Sequence, residues 1–294
     1  MKYLKLILLT LIIGISSFGC LKRDKYDNIN INVTSYPIEY ITNYLYGDYS
    51  KVNMIYPSDV DVNNYELSPK QIKDYAKADM FIYNGLSKEK NIAASLLNKN
   101  KNLDIIDISK GLEIENDPTE LWLSPTNFLM IASNIKNSLK EYVSNQKIID
   151  KIDDNYDKLK VSISEIDVEL KTIAENASNN TLIVGNNTFN FLKNYGFNVI
   201  YIDDSENSNT NLSQAKKLVQ NKSVSNLFVL SGYTETDNIK ELVKAGITIT
   251  EVPNLYTINS EQRNNNQDYL FFIKILMAEQ ERFELSRRLP DLHP

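Results

Sequence analysis

The chain runs to 294 residues, 42% of them hydrophobic and 24% charged, a composition that suits two compact lobes or one large α/β domain and excludes large-scale disorder. A net charge of -6, with no Lys/Arg block to offset it, excludes a nucleic-acid-binding surface. One cysteine (Cys20) and one histidine (His293, in the terminal sequence RRLPDLHP) are present, so a Cys/His zinc site, a Ser-His-Asp triad and a Cys-His dyad have no histidine in the body of the chain to build on.

The first segment, MKYLKLILLTLIIGISSFGC, places Lys2 and Lys5 before an apolar run from Leu6 to Ile15 and small residues before Cys20. That order of basic, apolar and small predicts a secretory signal peptide over residues 1–20, and the run is too short to span a membrane as a helix. The segment resembles a bacterial lipoprotein signal, whose cysteine becomes the lipid-bearing first residue of the mature chain. It departs from that pattern at Ser17, where such signals usually carry Leu. Cys20 is thus the expected lipidation site, residues 21–28 a polar tether, and the extracytoplasmic face of a bacterial membrane the expected location. A lone cysteine also leaves no internal disulfide.

From Ile29 onward, strand-length apolar runs alternate with helical patterns. INVTS, KVNMIYP, DMFIYNG and LDIIDIS read as strands, and PIEYITNYLY, SPKQIKDYAKA and SKEKNIAASLLNK as the helices between them. The second helix has a strong start signal: Ser68 at the N-cap, Pro69 at the first helical position and Gln71 to close a capping box. A further helix begins at Ser124–Pro125. The rhythm then repeats, with TLIVGN, NVIYID, NLFVLSG and TITEVP as strands and TFNFLKNYG, LSQAKKLVQN and TDNIKELVKAG as helices. Alternation of this kind predicts mostly parallel sheets covered by helices.

Between the halves, Ile152, Tyr156, Leu159, Ile163, Ile166, Leu170 and Ile173 recur at spacings of four and three, without Gly or Pro to interrupt them. The pattern predicts a single helix over residues 144–177, laid along both lobes of one chain rather than paired in a two-stranded coiled coil. The expected fold is therefore α/β: an N-terminal lobe over 29–143, the linking helix, a C-terminal lobe over 178–281, and a peripheral tail over 282–294. Each lobe contributes a mostly parallel sheet, and the two face each other across a cleft at their strand ends, where ligands bind in such folds. No Gly-rich phosphate loop and no nucleophile with a companion base accompanies this frame, so the chain reads as a non-enzyme.

Three loops opening on that cleft carry a specific resemblance. Asp61-Val62-Asn63-Asn64-Tyr65-Glu66-Leu67-Ser68-Pro69, followed by ADMFIYNGL, is similar to the D-P-H-x-Y-E-P-T-P and Y-N-G-L segments of the zinc and manganese solute receptors of ABC transporters. Glu120-Leu121-Trp122-Leu123-Ser124-Pro125 matches the same family's H-x-W-L-[DS]-P, and Asn186-Asn187-Thr188-Phe189-Asn190-Phe191 matches H-x-A-F-x-Y. The resemblance runs from about residue 29 to 280. It implies a receptor that captures its ligand between the lobes and delivers it to a separate permease and ATPase, as a monomer held to membrane lipid through Cys20.

Carried over residue by residue, the family's metal-binding histidines fall on Asn63, Glu120 (or Thr119) and Asn186, and its acidic ligand falls at Leu230 or at Val252, beside Glu251. The resulting site has oxygen donors only: Asn63, Glu120 and Asn186, with Asp61, Glu66 and Glu251 as supporting acids. The ligand itself stays open, metal or not; if it is a metal, such a set suits Mn²⁺, Ca²⁺ or Mg²⁺ better than Zn²⁺, which prefers imidazole and thiolate. Trp122 reads as core packing, and the Asn63–Asn64 pair, taken alone, as a turn. The alternative reading is a surface adhesion or interaction lipoprotein that kept the fold and lost metal transport.

Overall fold

The structure is a computed structural model that describes residues 28–58, 60–62, 64–112, 118–177, 179–203, 207–265 and 267–270, the side chains of 118–120 excepted. The signal peptide, Cys20, residues 21–27 of the tether and the tail over 282–294 fall outside that range.

Strands β1 (Ile29–Val33), β2 (Ser50–Met54), β3 (Met80–Tyr83) and β4 (Asp104–Asp107) form one sheet in the order β2-β1-β3-β4, parallel throughout. Strands β5 (Thr181–Val184), β6 (Asn198–Tyr201), β7 (Asn226–Leu230) and β8 (Thr248–Val252) repeat the arrangement as β6-β5-β7-β8. In both sheets the first strand lies inside, flanked by the second and third. Each lobe therefore has a topological switch point, between the carboxyl ends of β1 and β3 and of β5 and β7.

The crossovers are helical, as parallel pairing requires. In the first lobe they are α1 (Tyr36–Tyr46), α2 (Pro69–Tyr75) and α3 (Glu89–Lys99), followed by α4 (Pro125–Tyr142). The box at α2 forms in full: Ser68 N–H donates to Gln71 Oε1 at 2.9 Å, and Gln71 N–H donates to Ser68 Oγ at 3.3 Å. The second lobe uses α6 (Ser208–Gln220) and α7 (Asp237–Lys244), then a short α8 (Ser260–Asn264).

Helix α5 (Gln146–Asn176) has 31 residues, roughly 46 Å of axis at 1.5 Å per residue. Its buried residues Ile148, Ile152, Leu159, Ile163, Ile166, Leu170 and Ile173 keep to the spacings seen in the sequence. Toward its start it packs on α1 and α4, with Asn155 Nδ2 donating to Leu45 O at 3.3 Å. Toward its end it meets the 3₁₀ segment Asn187–Tyr195 of the second lobe, where the Tyr195 hydroxyl donates to Asp167. The heptad-like stripe is thus consumed within one chain.

Alternation along the second sheet explains why its strands read as nearly continuous apolar runs. Leu182, Val184, Phe228 and Leu230 join a core continuous with the first lobe and α5, whereas Ile183, Leu227 and Val229 face a second core with α6 and α7. Both faces are buried, as in helix-covered parallel sheets. One element departs from expectation: TFNFLKNYG forms 3₁₀ turns instead of an α-helix. Four asparagines between 186 and 194 lower helix propensity there, and Gly196, at φ 98°, ends the segment.

Candidate functional site: the strand ends and the contact between the lobes

The loop after β2 is held by its own side chains. Asn64 donates its backbone N–H to Asp61 O at 3.1 Å and its amide Nδ2 to Asp61 Oδ2 at 2.5 Å, closing a turn. Tyr65 packs edge-on against Tyr56, with ring centroids 5.7 Å apart, and its hydroxyl accepts from Gln71 Nε2 at 2.8 Å. Helix α2, started by Ser68, therefore anchors the loop. Beneath it lies a cavity of about 300 Å³ lined by Tyr56, Tyr65, Glu66, Ile72, Lys88 and Ile92, among others. Glu66 thus belongs to the wall between α2 and α3. Asn63 lies outside the described residues.

The second loop is a 3₁₀ segment, Pro118–Leu123. Only the backbone of Thr119 and Glu120 is described; Trp122, two positions further on, is wholly buried. Its indole Nε1–H donates to Asn254 O of the second lobe at 2.9 Å, and its carbonyl accepts from the buried Tyr269 hydroxyl. The packing role expected of Trp122 therefore extends across the lobe boundary.

In the third loop, Asn186 is exposed and caps the 3₁₀ segment, its Oδ1 accepting from Thr188 N–H at 3.2 Å. On β8, Glu251 is exposed while Val252 is buried, and Leu230 at the end of β7 is buried as well. Among the described residues, no three His, Cys, Asp or Glu side chains come together as a metal-holding group. Buried polar atoms without a partner in the protein lie just past the first strand of each lobe: Ser35 Oγ after β1, and Thr188 Oγ1 and Asn190 Oδ1 after β5. Such atoms usually bond to water or ligand.

Two residues that the sequence did not single out dominate the contact between the lobes. Glu89, the first residue of α3, is 1% exposed. It accepts from Asn84 N–H at 2.8 Å and from the hydroxyl of Tyr256, in the second lobe, at 3.0 Å. Burial pushes its carboxyl above the usual range; the Thr34 hydroxyl, Asn84 N–H and Tyr256 hydroxyl hold that shift back, and Asp107 adds to it. Tyr256 packs edge-on against Trp122, with centroids 5.0 Å apart, and its carbonyl accepts from Tyr36 N–H at 3.0 Å. Nearby, Arg263 pairs with Glu39 at 2.6 Å and Ser58 Oγ donates to Ile258 O at 3.2 Å. Glu89 was visible in SKEKN as an acid at a helix start, but nothing in the sequence says it is buried; Tyr256 is one of 18 tyrosines.

Two parallel sheets of the same strand order, joined by a single long helix that packs on both lobes, make this a two-lobed α/β protein. The chain belongs to the family described as zinc-uptake complex component A, periplasmic (ZnuA), which it matches over residues 31–278. It is 25% identical over 286 residues to the high-affinity zinc uptake system protein ZnuA of Bacillus subtilis, covering 85% of this chain and 86% of that one. It is 26% identical over 205 residues to the manganese ABC transporter substrate-binding lipoprotein PsaA of Streptococcus pneumoniae, covering 63% and 65%. Among solved structures, the metal-dependent lipoprotein YcdH of Bacillus subtilis superposes with a TM-score of 0.71 at 21% identity, covering 86% of this chain and 98% of that one. The Zn(II)-bound ZnuA-like domain of Streptococcus pneumoniae AdcA gives 0.70 at 19%, covering 87% and 99%.

Proposed function

We propose that this chain is the extracytoplasmic solute-binding lipoprotein of an ABC importer. It is anchored by lipid at Cys20, captures a cation between its lobes and passes it to a separate permease and ATPase. It is a binding protein, not an enzyme. The observation that carries this reading is the family frame, kept along nearly the whole mature chain while every aligned histidine is replaced.

The cargo follows from the donors. Asn63, Glu120 and Asn186 offer one carboxylate and two amide oxygens, with Asp61, Glu66 and Glu251 as further acids on the same loops and strand. Oxygen donors of low total charge suit Mn²⁺, Ca²⁺ or Mg²⁺ at modest affinity and leave Zn²⁺ without its preferred ligands. Asn186 can contribute its Oδ1 only while sharing it with the cap on Thr188, or by giving the cap up.

The test is elemental analysis of the chain purified without a His tag, together with titration by Mn²⁺, Ca²⁺, Mg²⁺ and Zn²⁺. The expected result is one hard cation bound per chain, lost in Glu120→Ala. A chain that holds none of the four ions would overturn the cation reading and mean that the cleft takes another ligand or none.

A further inference from the structure

We infer that Tyr256 and Glu89 form a bolt between the lobes: Tyr256 of the second lobe sits over the first lobe's strand ends, its hydroxyl on the buried Glu89 carboxyl, and fixes the width of the cleft before cargo arrives.

In open parallel sheets the crevice outside the switch point takes the ligand. In the first lobe that crevice lies between the ends of β1 and β3, and the protein's own groups enter it. Glu89 accepts the N–H of Asn84, the residue following β3, and the hydroxyl of Tyr256 takes its other oxygen. The Tyr256 carbonyl in turn accepts the N–H of Tyr36, at the first position of α1, where a helix has no internal acceptor for its N–H groups. Tyr256 therefore joins the groups that follow both strands of the switch point.

The strap that carries Tyr256 is held on both sides of it. Asn254 accepts Trp122 Nε1–H on its carbonyl and Tyr256 N–H on its Oδ1 at 3.0 Å. Arg263 reaches Glu39 on α1. Leu255, 2% exposed, has a φ of 61°, a left-handed conformation that a Leu takes only when its surroundings over-determine it. The same strap leads on from β8, which carries Glu251, and it holds Trp122, two positions from Glu120. A bolt here sets the relative placement of loops from both lobes that face the cargo.

Hinge motion about α5 would have to break a buried carboxylate–hydroxyl bond and withdraw a tyrosine from an apolar seat. Nothing in this depends on which cargo binds, so it is tested on the cargo-free chain.

The experiment is amide hydrogen exchange of the full chain in detergent, read by mass spectrometry, for wild type, Tyr256→Phe and Glu89→Gln. In wild type, the amides of Tyr36 and Tyr256, both hydrogen-bonded at this contact, should exchange as slowly as those inside β1. Tyr256→Phe keeps the ring and loses the hydroxyl, and should speed these amides by roughly tenfold or more through local opening, with the β5 and β7 amides unchanged. Glu89→Gln can turn its Oε1 to Asn84 N–H and donate its Nε2–H to the Tyr256 oxygen, keeping both contacts, and should leave the two amides slow. Loop-like exchange in wild type, wild-type exchange in Tyr256→Phe, acceleration spread evenly over both lobes, or fast exchange in Glu89→Gln would each overturn the bolt.

Discussion

Glu89 sits fully inside the protein with a carboxyl held above its ordinary range by burial, and that has a consequence with a definite sign. A group whose folded pKa is raised favours the fold most in its protonated form. The stability it contributes is complete below the usual carboxylate range and is lost as pH rises through the raised value. Glu89→Gln stays neutral throughout, so its thermal midpoint should gain on wild type as pH goes from about 4 to about 7. A constant difference across that range would mean that Glu89 does not titrate in this way. Gly85 makes a second case. A Cβ there would lie 2.0 Å from Asp107 Oδ2, while Asp107 Oδ1 accepts from Gly85 N–H and Ser109 N–H at 2.9 Å each. Gly85→Ala should therefore cost about 1–3 kcal/mol in denaturant unfolding, as overpacking does. The glycine of YNGL was legible as part of the family frame, but its reason was not. That reason lies in a carboxylate 22 positions away, which spacing along one strand cannot reveal.

At the scale of elements, periodicity carried most of the information. All eight strands and the helices α1 to α7 stand where alternation, capping signals and apolar spacing put them, because the sheets are helix-covered and each of these helices buries apolar side chains except α2, which its capping box starts. The short α8 and the 3₁₀ segments were not legible: they are held by local asparagine caps and contacts between the lobes more than by a repeating apolar face. Helix α5 offers a clean test of what a buried stripe is worth. Leu159 is wholly buried on the helix that ties the lobes together, so Leu159→Ala should cost about 2–5 kcal/mol. Val161, two positions on, is 60% exposed, and Val161→Ala should change stability by no more than about 0.5 kcal/mol. Equal effects in urea unfolding would mean that α5 is not seated on the lobes as described.

For the whole molecule, the two-lobed architecture was readable from the repeated strand–helix rhythm and the uninterrupted helix between its halves. The site was readable only as a frame. Asn63, Glu120 and Asn186 are singled out only by matching loop patterns, since asparagine and glutamate in loops otherwise read as turns and solvated surface. The cross-lobe seat of Tyr256 was out of reach, because it joins residues 167 positions apart through packing that no local pattern encodes. If the three aligned positions do converge on one point in the cleft, putting histidine back at each should restore the family's preferred chemistry, since three imidazoles and a water make a complete zinc site. The most direct measurement is therefore the zinc affinity of the Asn63→His, Glu120→His, Asn186→His triple variant against wild type, by competition with a chelator of known affinity. A gain of roughly a hundredfold or more, absent from each single variant, is the predicted result and corresponds to about 2.7 kcal/mol of new binding energy. A triple variant that binds zinc no better than wild type would contradict the account, because the three loops would then not share a site.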